Sequence, residues 1–458
     1  MDGTRLMPRF IRAIWGDLTR AEFEKFGILS IVYFLIIGAY SLLRTLKAPL
    51  FALFVGYEWQ PFAKLASLVV VACAVLVFSK LVDLFQKHTL FYIVCAFYGL
   101  GFLILAYIIA HPWLLPAADL TVAGYRVVPG RLLGWISYLF LESYGSIAAA
   151  LFWGFVASTT TPDSAKRGYG MILAFTQCGA MLAPWIVIEF VAKTGLPILY
   201  ACGGVMVCCV PFLIMLYRRV IPLESEIGAT EEGTRVGVFE GMRLLFSHSY
   251  LLGVFVVGTM YEVISTITEY EMEFCASRIY PANLDEGVAF AWFAGWNNFM
   301  LGALSFLFAL FGTSFFLRRI GLLGCLVLFP VMIIIVSIAA WAMFAAGSGM
   351  YVLMWSFFVA VVLFKSFNYT LNNPSKEMLY IPTSRNIKFK TKGWIDAVGA
   401  RSLKGAGALI TGTYGSSIAS LIPVATVVSL VIGGGWIVGA VLVGMAFERL
   451  QAEGKIIE

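Results

Sequence analysis

Charge is scarce in this chain. Only 13% of its 458 residues are Asp, Glu, Lys or Arg, while 60% are hydrophobic. A soluble domain carries about 25% charge. The shortage excludes an ordinary soluble globule, which could not cover its surface with polar groups. A bilayer removes that requirement, because lipid tails solvate apolar side chains. Histidine is scarcer still, with three scattered copies. The eight cysteines (Cys73, Cys95, Cys178, Cys202, Cys208, Cys209, Cys275, Cys325) lie in or beside apolar runs and form no CxxC pair. Neither a zinc site nor a disulfide framework is supported, and the cysteines read as small packing residues. There is no phosphate-cradling GxxxxGK[ST] loop, and the glycines of GGGW (433–436) fall in an apolar run, where close helix packing explains them. No aspartate-rich motif or histidine pair suggests an enzyme, and no resident cofactor or metal is expected. The start of the chain lacks the short apolar core and small-residue site of a cleavable signal. Residues 5–25 are instead basic and amphipathic, with Met7, Phe10, Ile11 and Trp15 able to share one face of an interfacial helix.

What is abundant is long apolar runs. About 20 apolar residues are needed to cross a hydrocarbon core as a helix. Twelve runs qualify, at 26–47, 60–85, 88–111, 131–159, 166–192, 196–218, 249–274, 286–317, 321–345, 349–372, 393–413 and 418–447. The expected fold is an all-α membrane protein of twelve transmembrane helices in two six-helix halves, as in major-facilitator-like carriers. Five segments follow: an interfacial segment (1–25), a first bundle (26–218), a linker (219–248), a second bundle (249–447) and a tail (448–458). The halves carry one echo. TPDSAKRGY (161–169) follows helix 4, and NPSKEMLY (373–380) follows helix 10.

The net charge of +6 sits in short clusters between apolar runs, which does not suggest nucleic acid. One set of loops holds most of it, including Arg5, Arg9, Arg12, Arg20, Lys80, Lys87, Lys166, Arg167, Arg218, Arg219, Arg318, Arg319, Lys388, Lys390 and Lys392. By the positive-inside rule both termini are expected in the cytoplasm. Trp15, Trp113, Trp135 and Trp394 fall near span ends and read as interfacial anchors.

The informative residues are ionisable groups inside spans, each costing roughly 2.5–3.5 kcal/mol at a helix centre. They are Arg44 and Lys47 in helix 1, Glu142 in helix 4, Glu189 in helix 5, Glu262, Glu269 and Glu273 in helix 7, Lys365 in helix 10, and Asp396, Arg401 and Lys404 in helix 11. Helical spacing puts Arg44 with Lys47, Glu262 with Glu269, and Arg401 with Lys404 on shared faces. Helices 1 and 11 thus offer cations, and helices 4 and 7 offer carboxylates. Cations converging on a cavity from opposite halves suit a polyphosphate, which needs several donors. A carboxylate beside an anion repels it unless paired or protonated, so gating or proton coupling suits Glu142, Glu269, Glu273 and Asp396 better than ligand contact. The alternative for all of them is salt bridging that holds the bundle together. Glu189, one turn from Lys193, fits that alternative best.

Several stretches resemble the non-mitochondrial ATP/ADP translocase family. KSFNYTLNNPSKEMLYIP (365–382) and KGWIDAVGARSLKGAGALI (392–410) are similar to the family's KSSKYSLFDPTKEMAYIPL and KGKAAIDVVGSRxGKSGG. SLLRTLKAPL (41–50) resembles its helix 1 motif ILRDTKD, and LESYGSIAAALFWGFVASTTTPDSAKRGYG (141–170) its helix 4. The helix 7 stretch 249–273 is similar to the family segment that carries NLVEVTWK. The matches run in order along most of the chain. The resemblance implies transport of nucleotides, with Lys47 and Lys404 at the phosphates and Glu142 and Glu269 essential to transport. Arg44, Arg401 and Lys365 are expected to support the phosphates, and Gln177 to stand near the base and ribose.

The departures fall at Thr45 and Ala48, where the family has aspartates, and at Met272 and Glu273, where it has tryptophan and lysine. Gln177 stands at its asparagine and Phe175 at a small residue. Losing a cation at Glu273 weighs against phosphate as a co-exchanged ion. The expected function is secondary active nucleotide transport of the ATP/ADP-exchange type by alternating access. The alternatives are proton-coupled symport of nucleotides or of another anionic metabolite, a non-transporting receptor, and a membrane enzyme. The expected partners are a phosphorylated small molecule and a lipid bilayer, for a monomer in a cell membrane such as a bacterial inner membrane.

Overall fold

The computed structural model describes residues 19–115, 120–122, 125–221, 238–283, 285–384, 387, 391–392, 394–455 and 457. Most of the expected interfacial segment, the middle of the expected linker, and Arg385, Lys388 and Lys390 lie outside the described residues.

The chain is nearly all helix. In order, α1 is Arg20–Phe54, α2 Gln60–Leu84, α3 Lys87–Ala110, α4 Pro129–Thr159, α5 Pro162–Val220, α6 Val238–Ser247, α7 Ser249–Ile279, α8 Val288–Ala345, α9 Met350–Phe367, α10 Asn373–Met378, α11 Ala400–Tyr414 and α12 Ile418–Glu453. Two three-residue strands, β1 (Leu120–Val122) and β2 (Tyr125–Val127), pair antiparallel between α3 and α4. Nine stretches of the described residues are long and apolar enough to cross a bilayer. Their outward faces carry large apolar side chains, among them Val69, Leu76, Phe97, Phe212, Ile335 and Val431. Only a lipid solvent makes that arrangement favourable, so this is a multi-pass membrane protein.

Two helices are far longer than a bilayer is thick. α5 has 59 residues, about 89 Å at 1.5 Å per residue, and α8 has 58. Each contains one non-helical glycine, Gly195 (φ 75°) in α5 and Gly321 (φ 69°) in α8. A side chain strains that left-handed conformation, and glycine removes the strain.

The chain divides into two compact units. The first holds residues 1–56, 69–231 and 280–299; the second holds 57–68, 232–279 and 300–458. α2 and α8 therefore each contribute to both. The first unit's core is built on α1, α3, α4 and α5, with Phe26, Phe91, Phe102, Phe152, Val187 and Val207 fully or almost fully buried. α1 and α5 approach closely where Gly38 faces Gly179. The second unit's core gathers α7, α9 and α12 around Val254, Ile264, Phe329, Phe364, Tyr380 and Trp436.

The echoed loops are both fastened by ion pairs. In the first unit Thr19 and Glu22 form a capping box that starts α1. Glu22 also accepts from Ser164 Oγ at 2.9 Å and pairs with Arg167, tying α1 to the start of α5. In the second unit Lys392 lies 2.7 Å from Glu377, and Tyr250 Oη donates to the Leu379 carbonyl at 2.6 Å.

Candidate functional site

Each unit contains a cation and a carboxylate joined across helices. In the first, Lys47 of α1 reaches Glu142 of α4, with Nζ 2.6 Å from Oε1 and the side chains 18% and 28% exposed. The ammonium also lies 4.6 Å from the centre of the Tyr138 ring, a cation–π contact from the turn preceding Glu142. Arg44, one turn earlier on α1, is half-buried on the same face. Beside it Thr45 donates to the Ser41 carbonyl at 2.9 Å and accepts from Asn298 at 3.3 Å. Its hydroxyl is thus held where an aspartate would carry charge.

In the second unit Glu269 of α7 is gripped twice. Lys365 of α9 bonds Oε1, and Lys64 of α2 lies 3.6 Å from Oε2. Lys365 is the more deeply buried, its side chain 7% exposed against 18% for Lys64. One turn along α7, Glu273 accepts a hydrogen bond from the Tyr57 hydroxyl, and the Tyr57 ring stacks on Tyr270 at 5.5 Å. At the other end of this face Glu262 lies 3.4 Å from Lys404 of α11. π-helical turns at Asn368–Asn372 and Ile395–Gly399 flank Lys365 and Arg401. Such bulges are frequent at functional sites.

The structure thus joins Lys47 with Glu142, Glu269 with Lys365, and Lys404 with Glu262. Arg401 is half-buried on α11, and Gln177 is exposed on α5, apart from these pairs. Asp396 stands in the π turn, and its side chain lies outside the described ones. Glu189 pairs with Lys193 at 3.1 Å on one helix face, and both are well exposed.

Three residues were not singled out from sequence. Lys64 sits in the first turns of α2, where a lysine reads as a span-end charge. Tyr57 carries no charge, so membrane cost gives no signal for it. Glu271 stands two residues from Glu269 and from Glu273, which points it to the opposite side of α7. It is buried, at 4% exposure. The alternation in TEYEME (268–273) was the available clue.

An ammonium held by a carboxylate among apolar helices can exchange that partner for another anion. Phosphate oxygens are the natural substitute, because they form equally strong charge-assisted bonds and bring their own charge into the wet space. No metal or redox group is needed for that exchange.

Comparison with known proteins points the same way. The sequence pattern of the TLC ATP/ADP transporter family matches residues 3–447. The chain is 24% identical to ADP,ATP carrier protein 4 of Rickettsia bellii over 453 aligned residues, covering 89% of this chain and 86% of that one. It is 26% identical to ADP,ATP carrier protein 1 of Chlamydia muridarum, covering 87% and 83%. Among solved structures it resembles the nucleoside transporter NupG with a TM-score of 0.56 at 15% identity, covering 94% of this chain and 99% of that one. It also resembles a D-xylose-proton symporter with a TM-score of 0.60 at 12% identity, covering 92% and 97%. These likenesses show that the chain shares the overall fold of those two proteins.

Proposed function

The chain belongs to the TLC ATP/ADP transporter family, and from that premise we propose that it exchanges adenine nucleotides of the ATP/ADP type across a cell membrane by alternating access. It is a transporter and not an enzyme. The observation that carries the substrate reading is the Lys47–Glu142 pair, a cation kept inside apolar helices together with an anion that a phosphate can replace. Lys47, Arg44, Lys365, Arg401 and Lys404 receive the phosphates, and Gln177 lies toward the nucleoside. In the empty carrier Glu142 and Glu269 occupy the cations. On loading, the phosphates displace them, and on release they return. Glu273 and Asp396 belong to the gate. The relatives named for ADP and ATP support this substrate class.

The reading includes twelve spans. α5 and α8 each supply two, divided at Gly195 and Gly321, because neither length fits one crossing of a ~30 Å core. α11 with the turn before it supplies another. Counted so, the first helix of each half pairs with the fourth, with the charges reversed between halves: Lys47 to Glu142, and Glu269 to Lys365. An even count and the lysine and arginine bias support a reading with both termini in the cytoplasm, and the reading takes the carrier as a monomer in a bacterial inner membrane.

Thermal-shift titration of the purified protein with ATP, ADP, NAD and inorganic phosphate tests the substrate. A ligand that binds only the folded state stabilises it by about 2.7 kcal/mol at a hundredfold excess over Kd. Adenine nucleotides should stabilise the wild type and lose that effect in Lys47→Ala and Lys404→Ala. Normal binding by both variants would sink the assignment. A second reading, proton-coupled nucleotide symport, draws support from Glu273, a carboxylate where the family carries a cation. Trans-stimulation by internal nucleotide favours exchange, and acceleration by external acid favours symport.

A further inference from the structure

α7 has a second carboxylate face. Glu271 points away from Glu262, Glu269 and Glu273 into a small, partly open pocket lined by α7, α8, α9 and α12. Glu271 lines this pocket and as a residue is 4% exposed, and among the described residues no hydrogen bond or ion pair to its carboxyl group is found. Four hydroxyls line the same space, those of Thr268, Ser337, Thr426 and Ser429, and the rest of the wall is aliphatic and phenyl. No charged or titratable side chain lines it from α8, α9 or α12 among the described residues. On α7 itself Cys275 lies one turn further on.

The hydroxyls decide what the cavity accepts. Thr268 donates its hydrogen to the Ile264 carbonyl at 3.0 Å, and Thr426 donates to the Ile422 carbonyl at 2.8 Å. Both therefore present lone pairs to the cavity. An ionised carboxylate facing these two acceptors and a largely hydrocarbon wall is costly in a protein interior. A positive charge bound there removes the cost. A proton turns Glu271 into a donor for which acceptors are already in position, and a small hard cation finds a ring of oxygens.

We propose that Glu271, with Thr268, Ser337, Thr426 and Ser429, forms an exchangeable monovalent-cation site inside the second unit, taken by a proton or a sodium ion and separate from the ion-paired face of α7. Its coupling to nucleotide flux rests on the transporter reading; its occupancy does not. The reconstituted full chain is followed by infrared difference spectroscopy as the buffer is stepped from acid to alkaline, in choline and then in sodium. Loss of a protonated-carboxyl band on alkalinisation, with the band absent in Glu271→Gln, identifies the proton. Loss of that band or a rise in melting temperature on adding sodium but not choline, again absent in Glu271→Gln, identifies sodium. Thr268→Val and Ser429→Ala keep the acid and should shift its band, which preserves the test if Glu271→Gln does not fold. A wild type with no responsive band and no sodium effect, or a band unmoved in both hydroxyl variants, overturns the proposal. Nucleotide-induced thermal shift in the same samples reports on the transporter reading separately.

Discussion

Replacing Glu142 by glutamine should tighten nucleotide binding. In the empty protein Glu142 neutralises Lys47 at 2.6 Å. A phosphate must displace that carboxylate before it can take the ammonium, so the pair works against the ligand. Breaking a fully buried pair costs about 3–5 kcal/mol, and an exposed pair is worth at most about 1. With the side chains 18% and 28% exposed, an intermediate figure of about 1.5–2 kcal/mol applies. That corresponds to roughly ten- to thirtyfold in Kd. Lys47→Ala should act the other way. It removes a charge-assisted contact worth about 1.5–3 kcal/mol, which is a loss of roughly ten- to a hundredfold, and it takes from Glu142 the ammonium at 2.6 Å, so melting temperature falls. The double variant should recover part of the thermal stability without recovering affinity, because the carboxylate that lost its ammonium is gone and so is the phosphate ligand. Isothermal titration with ATP and ADP, with melting curves on the same four proteins, measures all of this. The reasoning is refuted if Glu142→Gln weakens binding as much as Lys47→Ala, since Glu142 would then contact the substrate itself. It is refuted equally if Lys47→Ala lowers stability and leaves Kd unchanged, since the pair would then be purely structural.

At Glu269, Lys365→Met should lower the melting temperature more than Lys64→Met, because Lys365 is the closer and more buried partner; the reverse order would contradict the geometry. Tyr57→Phe should cost about 1–3 kcal/mol by removing the hydroxyl that donates to Glu273, and adding Glu273→Gln should return part of it in a melting assay. Gly179→Val should destabilise by about 1–3 kcal/mol or prevent folding, because its Cβ would stand 2.9 Å from the Phe34 carbonyl oxygen on α1; an unchanged melting temperature would show that the helices part easily. Affinity should fall stepwise from ATP to ADP to AMP to adenosine and weaken with added salt, and a flat series would place recognition in the nucleoside.

Much of this was legible in the sequence for one physical reason. Membrane insertion makes every intramembrane charge costly, so Lys47, Glu142, Glu269 and Lys365 could be picked out from an apolar background, and the structure joins them in two pairs. Their pairing was not legible. The partners are 95 and 96 residues apart, and helical periodicity says which face a residue takes but not which helix meets that face. Helices 1 and 11 were expected to present cations to a ligand; in the structure Lys47 and Lys404 each have a carboxylate at hand. Glu271 was not singled out, although two residues' separation from Glu269 and Glu273 puts it on the other side of the helix. The cavity behind it depends on how four helices pack, and composition does not report that.

The glycine breaks at 195 and 321 bear on how the chain is made. On the proposed division of α5 and α8 into two spans each, one residue separates the spans, and there is no loop for the insertion machinery to hold on the far side of the membrane while the next span emerges. Such spans must leave the translocon as a helical hairpin, the second drawing the first into lipid. Hydrophobicity can then be shared between them: the half of α5 that carries Lys166, Arg167 and Glu189 can enter on the strength of the more apolar half that follows. The same economy leaves those two junctions without room for an inserted tag or a protease site, whereas α3 and α4 are separated by residues that include the β1–β2 pair.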